Sequence, residues 1–145
     1  MDARAAEQSG EQQPRPPSAG ADVILDVVFD DGLLYLVLAN IGDAPAHRVR
    51  VRFGERFSGL GGERRIDRLP LFSRLQFLAP RRSIETFLDR ASAYFARAEP
   101  TALTARITWL DDDGRRAERT VVHDLEIYRS LPYHPREVPT HARPS

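Results

Sequence analysis

Residues Leu33 to Phe53, LLYLVLANIGDAPAHRVRVRF, decide the fold of this 145-residue chain. Leu33 to Ala39 is apolar at every position, which reads as a strand buried on both faces. Asn40-Ile41-Gly42-Asp43-Ala44-Pro45-Ala46 follows, a turn marked by Gly42 and Pro45. Val49, Val51 and Phe53 then alternate with Arg48, Arg50 and Arg52, the pattern of a strand with one buried and one solvated face. Two such strands joined by a short turn predict the middle of an antiparallel β-sandwich.

Working outward, Asp22 to Phe29 reads as a first strand, and Asp30-Asp31-Gly32 as a hairpin turn into Leu33. Gly54 to Asp67 reads as a polar loop around Gly59-Leu60-Gly61-Gly62. Leu75 to Leu78 and Ser83 to Leu88 read as strands separated by a turn at Pro80. In Asp89 to Glu99 the period changes: Ala91, Tyr94, Phe95 and Ala98 fall at helical spacing, Asp89 is the expected N-cap and Pro100 the stop. Leu103, Ala105, Ile107 and Trp109 mark one face of a long strand. Asp111-Asp112-Asp113-Gly114 turns it into a return strand, Arg116 to Ile127, with Val121, Leu125 and Ile127 inward. The prediction is an all-β chain, an immunoglobulin-like antiparallel β-sandwich of about seven strands with one short crossover helix. Residues 1–20 are expected to be a disordered tail, 21–129 the sandwich, and 130–145 a Pro-rich tail.

The residues Asn40-x-Gly42-x-x-Pro45-Ala46, the Leu78-Ala79-Pro80 edge and Ile107-Thr108-Trp109 leading to Asp113-Gly114-Arg115 carry a resemblance. They resemble the CARDB-type domain (cell adhesion related domain in bacteria), whose short turn motifs would span about 105 residues of such a fold. Where that family has a glycine after the proline, this chain has Arg81, and the aromatic of the late hairpin is Trp109. The resemblance implies a binding or spacer role and carries no catalytic residues.

Composition narrows the chemistry. The chain has no cysteine, so neither disulfides nor thiolate metal sites are available. It has no signal-peptide pattern and no apolar run of the roughly 20 residues that span a bilayer, so a cytoplasmic protein without membrane contact is expected. Every basic residue is arginine and the net charge is zero, but the charge is unevenly placed. Residues 21–45 hold five Asp and no arginine, whereas residues 46–90 hold 11 Arg against five acids.

No catalytic or metal constellation is expected. The Asp111–Asp113 run could attract calcium, but the twelfth position of an EF-hand counted from Asp111 is Val122, and Asp113-Gly114 suffices as a turn. His47, His123, His134 and His141 lack ligand spacing, although His47 and His123 could meet between strands. The glycine loop lacks the Lys-Ser/Thr of a phosphate-binding loop. Leu69, Leu71, Phe72, Leu75, Phe77 and Leu78 are expected in the core.

The candidate binding surface is Arg48, Arg50 and Arg52, which alternation sends to one face, with Arg81 and Arg82 near its end. Asn40, Gly42, Pro45, Asp113 and Gly114 are assigned to structural turns. The expected function is a non-enzymatic interaction or scaffold module with no cofactor. Its sheet face or edge would bind a partner protein, a second copy included. A nucleic-acid or anion-binding domain, or a structural subunit of a larger assembly, are the alternatives. Nucleic acid ranks behind protein because the net charge is zero and the aromatics are assigned to the core.

Overall fold

Asp31 and Gly32 adopt φ of +51° and +89°, the pair of left-handed residues that a two-residue hairpin needs to follow the twist of its strands. The computed structural model, which describes residues 20–132, places them between β1 (Val23–Asp30) and β2 (Leu33–Asn40), paired antiparallel along their full length. The chain continues through β3 (Ala46–Phe53), β4 (Ser58–Gly59), β5 (Arg64–Arg65), α1 (Leu71–Arg74), β6 (Leu75–Leu78), β7 (Ser83–Arg90), α2 (Ala91–Ala96), β8 (Ala102–Leu110) and β9 (Arg116–Asp124). β1-β2-β7 form one sheet, β6-β3-β8-β9 the other, and β4 and β5 a small ribbon. All pairings are antiparallel. The protein is an all-β sandwich of three strands on four, and α2 carries the chain from β7 in one sheet to β8 in the other.

Alternation builds the core. Val23, Leu25 and Val27, then Leu34, Leu36 and Leu38, face Val49 and Val51 of β3 and Leu103, Ala105, Ile107 and Trp109 of β8. Phe53 closes one end, its ring edge-on to Phe57 and Phe72 at 4.9 and 5.0 Å. Burial of such side chains is worth about 1.5–3 kcal/mol each and is the main force holding the sheets together.

At the other end the clasp is polar. Asn40 is 1% exposed. Its Oδ1 accepts from the backbone N–H of Asp22 and Gly42, both at 3.0 Å, and its Nδ2 donates to the carbonyls of Ala44 (2.8 Å) and Leu78 (3.2 Å). One side chain thus ties the start of β1, the β2–β3 turn and the end of β6. Gly42 lies so close to Gly20 that an added Cβ would run into the Gly20 carbonyl oxygen.

The free edges of β1 and β9 lie side by side. The ring Nε2 of His123 donates to the Leu25 carbonyl at 2.7 Å, Arg119 pairs with the buried Asp22, and Asp26 Oδ1 accepts from the Val27 N–H at 2.8 Å.

Several expectations need correction. β2 is not buried on both faces: Leu33 is covered, but Tyr35, Val37 and Ala39 on its outer side are only partly buried. The return strand stops at Asp124, and Leu125–Tyr128 forms a 3-10 turn that buries Leu125 and leaves Ile127 58% exposed. The Gly54–Asp67 segment is a packed part of the fold: Phe57 and Ile66 are buried, and Arg65 and Asp67 pair at 2.8 Å. Asp89 does not cap α2. The cap position is Arg90 without a side-chain hydrogen bond, and Asp89 is buried in an ion pair with Arg97. The expected tails, except Gly20 and residues 130–132, lie outside the described residues, as do His134 and His141.

Tyr94 is fully buried under α2, its hydroxyl donating to the Pro100 carbonyl at 2.6 Å. Burial, reinforced by the nearby Glu99 carboxylate, pushes its pKa well above the usual phenol range. The folded state therefore holds that proton more tightly than the unfolded chain, and stability is lost as pH rises above about 10. Tyr94→Phe should lower stability near neutral pH by about 1 kcal/mol through the lost hydrogen bond. It should also flatten the alkaline decline, as read by denaturant unfolding from pH 8 to 11.

Candidate functional site

The candidate arginines lie on the outer face of the four-stranded sheet, and β3 does not present them by simple alternation. His47 pairs with Leu110 and Arg50 with Thr108, so two residues, Arg48 and Val49, oppose the single Trp109. This is a β-bulge, and Arg48 sits in it at φ +50°, a conformation that costs a non-glycine residue about 1–2 kcal/mol. The bulge keeps Val49 in the core while Arg48 and Arg50 line one shallow hollow of about 300 Å³ with Thr108, Trp109, Leu110 and Arg116. A second hollow of about 260 Å³ adjoins it, lined by Arg50, Arg52, Arg106, Thr108 and Arg116.

Arg106 and Arg116 join the site although the sequence reading did not select them. Arg106 occupies an outward position of β8, opposite in phase to Leu103, Ala105, Ile107 and Trp109. The signal was present in the alternation, but it required knowing that β8 pairs with β3. The register sets Arg52 directly against Arg106. Like charges opposed across two strands destabilise a sheet.

Of the five arginines, Arg106 alone has a carboxylate within ion-pair distance among the described residues, Glu118 of β9 at 3.0 Å. Their hydrogen bond holds the Glu118 carboxyl below its ordinary range and the Arg106 guanidinium above its own. Arg50 is anchored differently: its Nη1 donates to the Val49 and Leu75 carbonyls at 2.9 and 3.1 Å.

Phe77 borders this face. It is 54% exposed, correcting its assignment to the core, with its ring edge-on to His47 at 5.5 Å. Phe72 and Leu78 are buried, and Leu69, Leu71 and Leu75 pack against the core in part. Val122 of β9 is 68% exposed.

Arg81 and Arg82 are exposed in the β6–β7 turn and line neither hollow. Their backbones serve Asn40: the Arg81 N–H donates to its carbonyl and the Arg82 carbonyl accepts from its N–H, both at 2.9 Å. Arg81 has φ +63°, in the region that glycine favours.

The histidines do not meet. His47 pairs with Leu110 and His123 with Leu103, at opposite ends of β8. His47 Nε2 lies 2.9 Å from Asp112 Oδ1. In the late hairpin Asp111 Oδ1 accepts from the N–H groups of Asp113 and Arg115 at 2.8 and 2.9 Å, and Gly114 has φ +77°. No three His, Asp or Glu side chains among the described residues are grouped to hold a metal ion. No helix among them is long and apolar enough to cross a membrane.

The fold and this face define an antiparallel β-sandwich with a cationic sheet surface. The chain belongs to the family Domain of unknown function (DUF8453), whose model matches residues 2–129. No curated protein and no solved structure matches it.

Proposed function

We propose that the domain is a non-catalytic interaction module whose arginine-bearing sheet face binds an acidic segment of a partner protein. The carrying observation is the direct opposition of Arg52 and Arg106 on a face where four of five arginines have no carboxylate within ion-pair distance among the described residues. A sheet optimised for its own stability would place an acid or a threonine opposite Arg52. An anionic partner relieves the repulsion and makes the charge useful. Arginine suits this role because its planar fork grips carboxylates bidentately. A chain free of cysteine is also suited to a reducing compartment such as the cytoplasm.

One observation favours a second reading. The exposed Phe77 ring beside the arginines offers a stacking surface for a base of single-stranded nucleic acid.

The test compares the full chain with its Arg52→Glu/Arg106→Glu variant as bait in a nuclease-treated cell extract. Melting temperatures should differ by no more than a few degrees, because both side chains are exposed. Captured acidic protein should fall at least about tenfold, equivalent to about 1.4 kcal/mol. Equal capture by both baits would refute the proposal. Capture by the unaltered chain that is present in untreated extract and disappears on nuclease treatment would favour the second reading.

A further inference from the structure

Resting on that reading, we infer that the hollow between Arg52 and Arg106 is a phosphoryl-binding site, filled by a phosphate monoester on the partner's segment. Arg50, Arg52, Arg106 and Arg116 line this one hollow, with the Thr108 side of β8 between them. A single carboxylate brings one negative charge and two oxygens to this group of cations. A phosphate monoester brings a charge of about −1.5 to −2 and three strong acceptor oxygens. The guanidiniums of Arg52, Arg106 and Arg116, with Arg50 partly held by backbone carbonyls and a hydroxyl-bearing residue between them, match the second inventory better than the first.

The chain already holds a weak occupant. Glu118 stands opposite Thr108 and reaches diagonally to Arg106. A lone carboxylate from within the fold therefore bonds one guanidinium, is drawn on by the charge of Arg116, and leaves Arg52 with no carboxylate within ion-pair distance among the described residues. An incoming phosphoryl group must take Arg106 from Glu118, so Glu118 acts as a built-in competitor that sets the threshold for binding. The surface pair is weak enough for this exchange, since both side chains are about half exposed.

The test uses three peptides, Gly-Asp-X-Asp-Gly with X as phosphoserine, glutamate or serine, titrated into the isotopically labelled full chain and read by amide shifts on β3 and β8. The phosphoserine peptide should bind at least about tenfold more tightly than the glutamate peptide, a difference of about 1.4 kcal/mol. Arg52→Gln/Arg106→Gln should erase that preference. Glu118→Gln should strengthen phosphoserine binding several-fold, a gain that a merely structural Glu118 would not produce.

Inorganic phosphate alone should shift the same amides more weakly. If it binds as tightly as the phosphopeptide, the partner-borne source is overturned. Equal affinity for the phosphoserine and glutamate peptides, or no shift with either phosphate probe, overturns the phosphoryl site itself. The capture experiment decides the interaction module independently, so the two readings fail separately.

Discussion

Replacing Asn40 with alanine should lower stability by about 3–4 kcal/mol, one of the two largest effects expected of a single substitution in this domain. The loss does not come from volume. Four hydrogen bonds converge on this buried amide, two N–H groups on Oδ1 and two carbonyls on Nδ2, with only the Ala44 contact part-buried. Removing the side chain leaves Asp22 N–H, Gly42 N–H and the Ala44 and Leu78 carbonyls without these partners, and orphaned buried groups are what make a lost hydrogen bond expensive. In a domain of this size the melting temperature should fall by about 10–15 °C. Asn40→Asp is the sharper version. Its carboxylate keeps the two acceptor contacts but points an anion at two carbonyl oxygens. The folded state would then favour the protonated acid, so the variant should recover part of its stability as pH falls toward 4. A fall in melting temperature of less than a few degrees in both variants would show that water replaces Asn40 at little cost.

The second large effect is expected at Arg97. Its guanidinium pairs with Asp89 at 2.9 Å and Glu99 at 3.2 Å, donates to the Ala93 and Ser58 carbonyls at 3.1 Å, and lies over the Tyr94 ring. Burial by itself would lower the Arg97 pKa, but the hydrogen bonds to the Asp89 and Glu99 carboxylates outweigh it and hold the pKa above its usual value. Asp89 in turn accepts from the Gly61 N–H, so the pair fastens the glycine loop to α2. Arg97→Met should cost about 3–5 kcal/mol, because it strands a buried carboxylate. Adding Asp89→Asn to that variant should restore part of the loss, with a coupling of about 1–3 kcal/mol in a double-mutant cycle. Amide exchange should accelerate from Gly59 to Gly62 in the single variant. Additive losses would mean that the two side chains act separately.

Local rules made the framework readable. The Asp30-Asp31-Gly32 and Asp111–Gly114 turns follow from the need for positive φ, and the inward set Leu103, Ala105, Ile107 and Trp109 follows from a period of two. What was not legible depended on pairs distant in sequence. Asp89 before a helical run looks like a cap; only the fold brings Arg97 and the glycine loop around it. Phe77 sits in a dense apolar stretch, but it belongs to the short edge strand β6, whose outer face is open. The site was half legible: β3 displayed its arginines in the sequence, whereas Arg106 and Arg116 joined them only through the β3–β8–β9 register.

The crossed side chains where β1 meets β9 have a consequence for how this protein can associate. His123 occupies the Leu25 carbonyl and Asp26 the Val27 N–H, two backbone groups of β1, while Arg119 crosses to the Asp22 carboxylate just before the strand. A foreign strand would have to displace these contacts to zip onto that border. That border is thus guarded by side chains against edge-to-edge pairing, which leaves β6 and β7 as the edges where a strand could add.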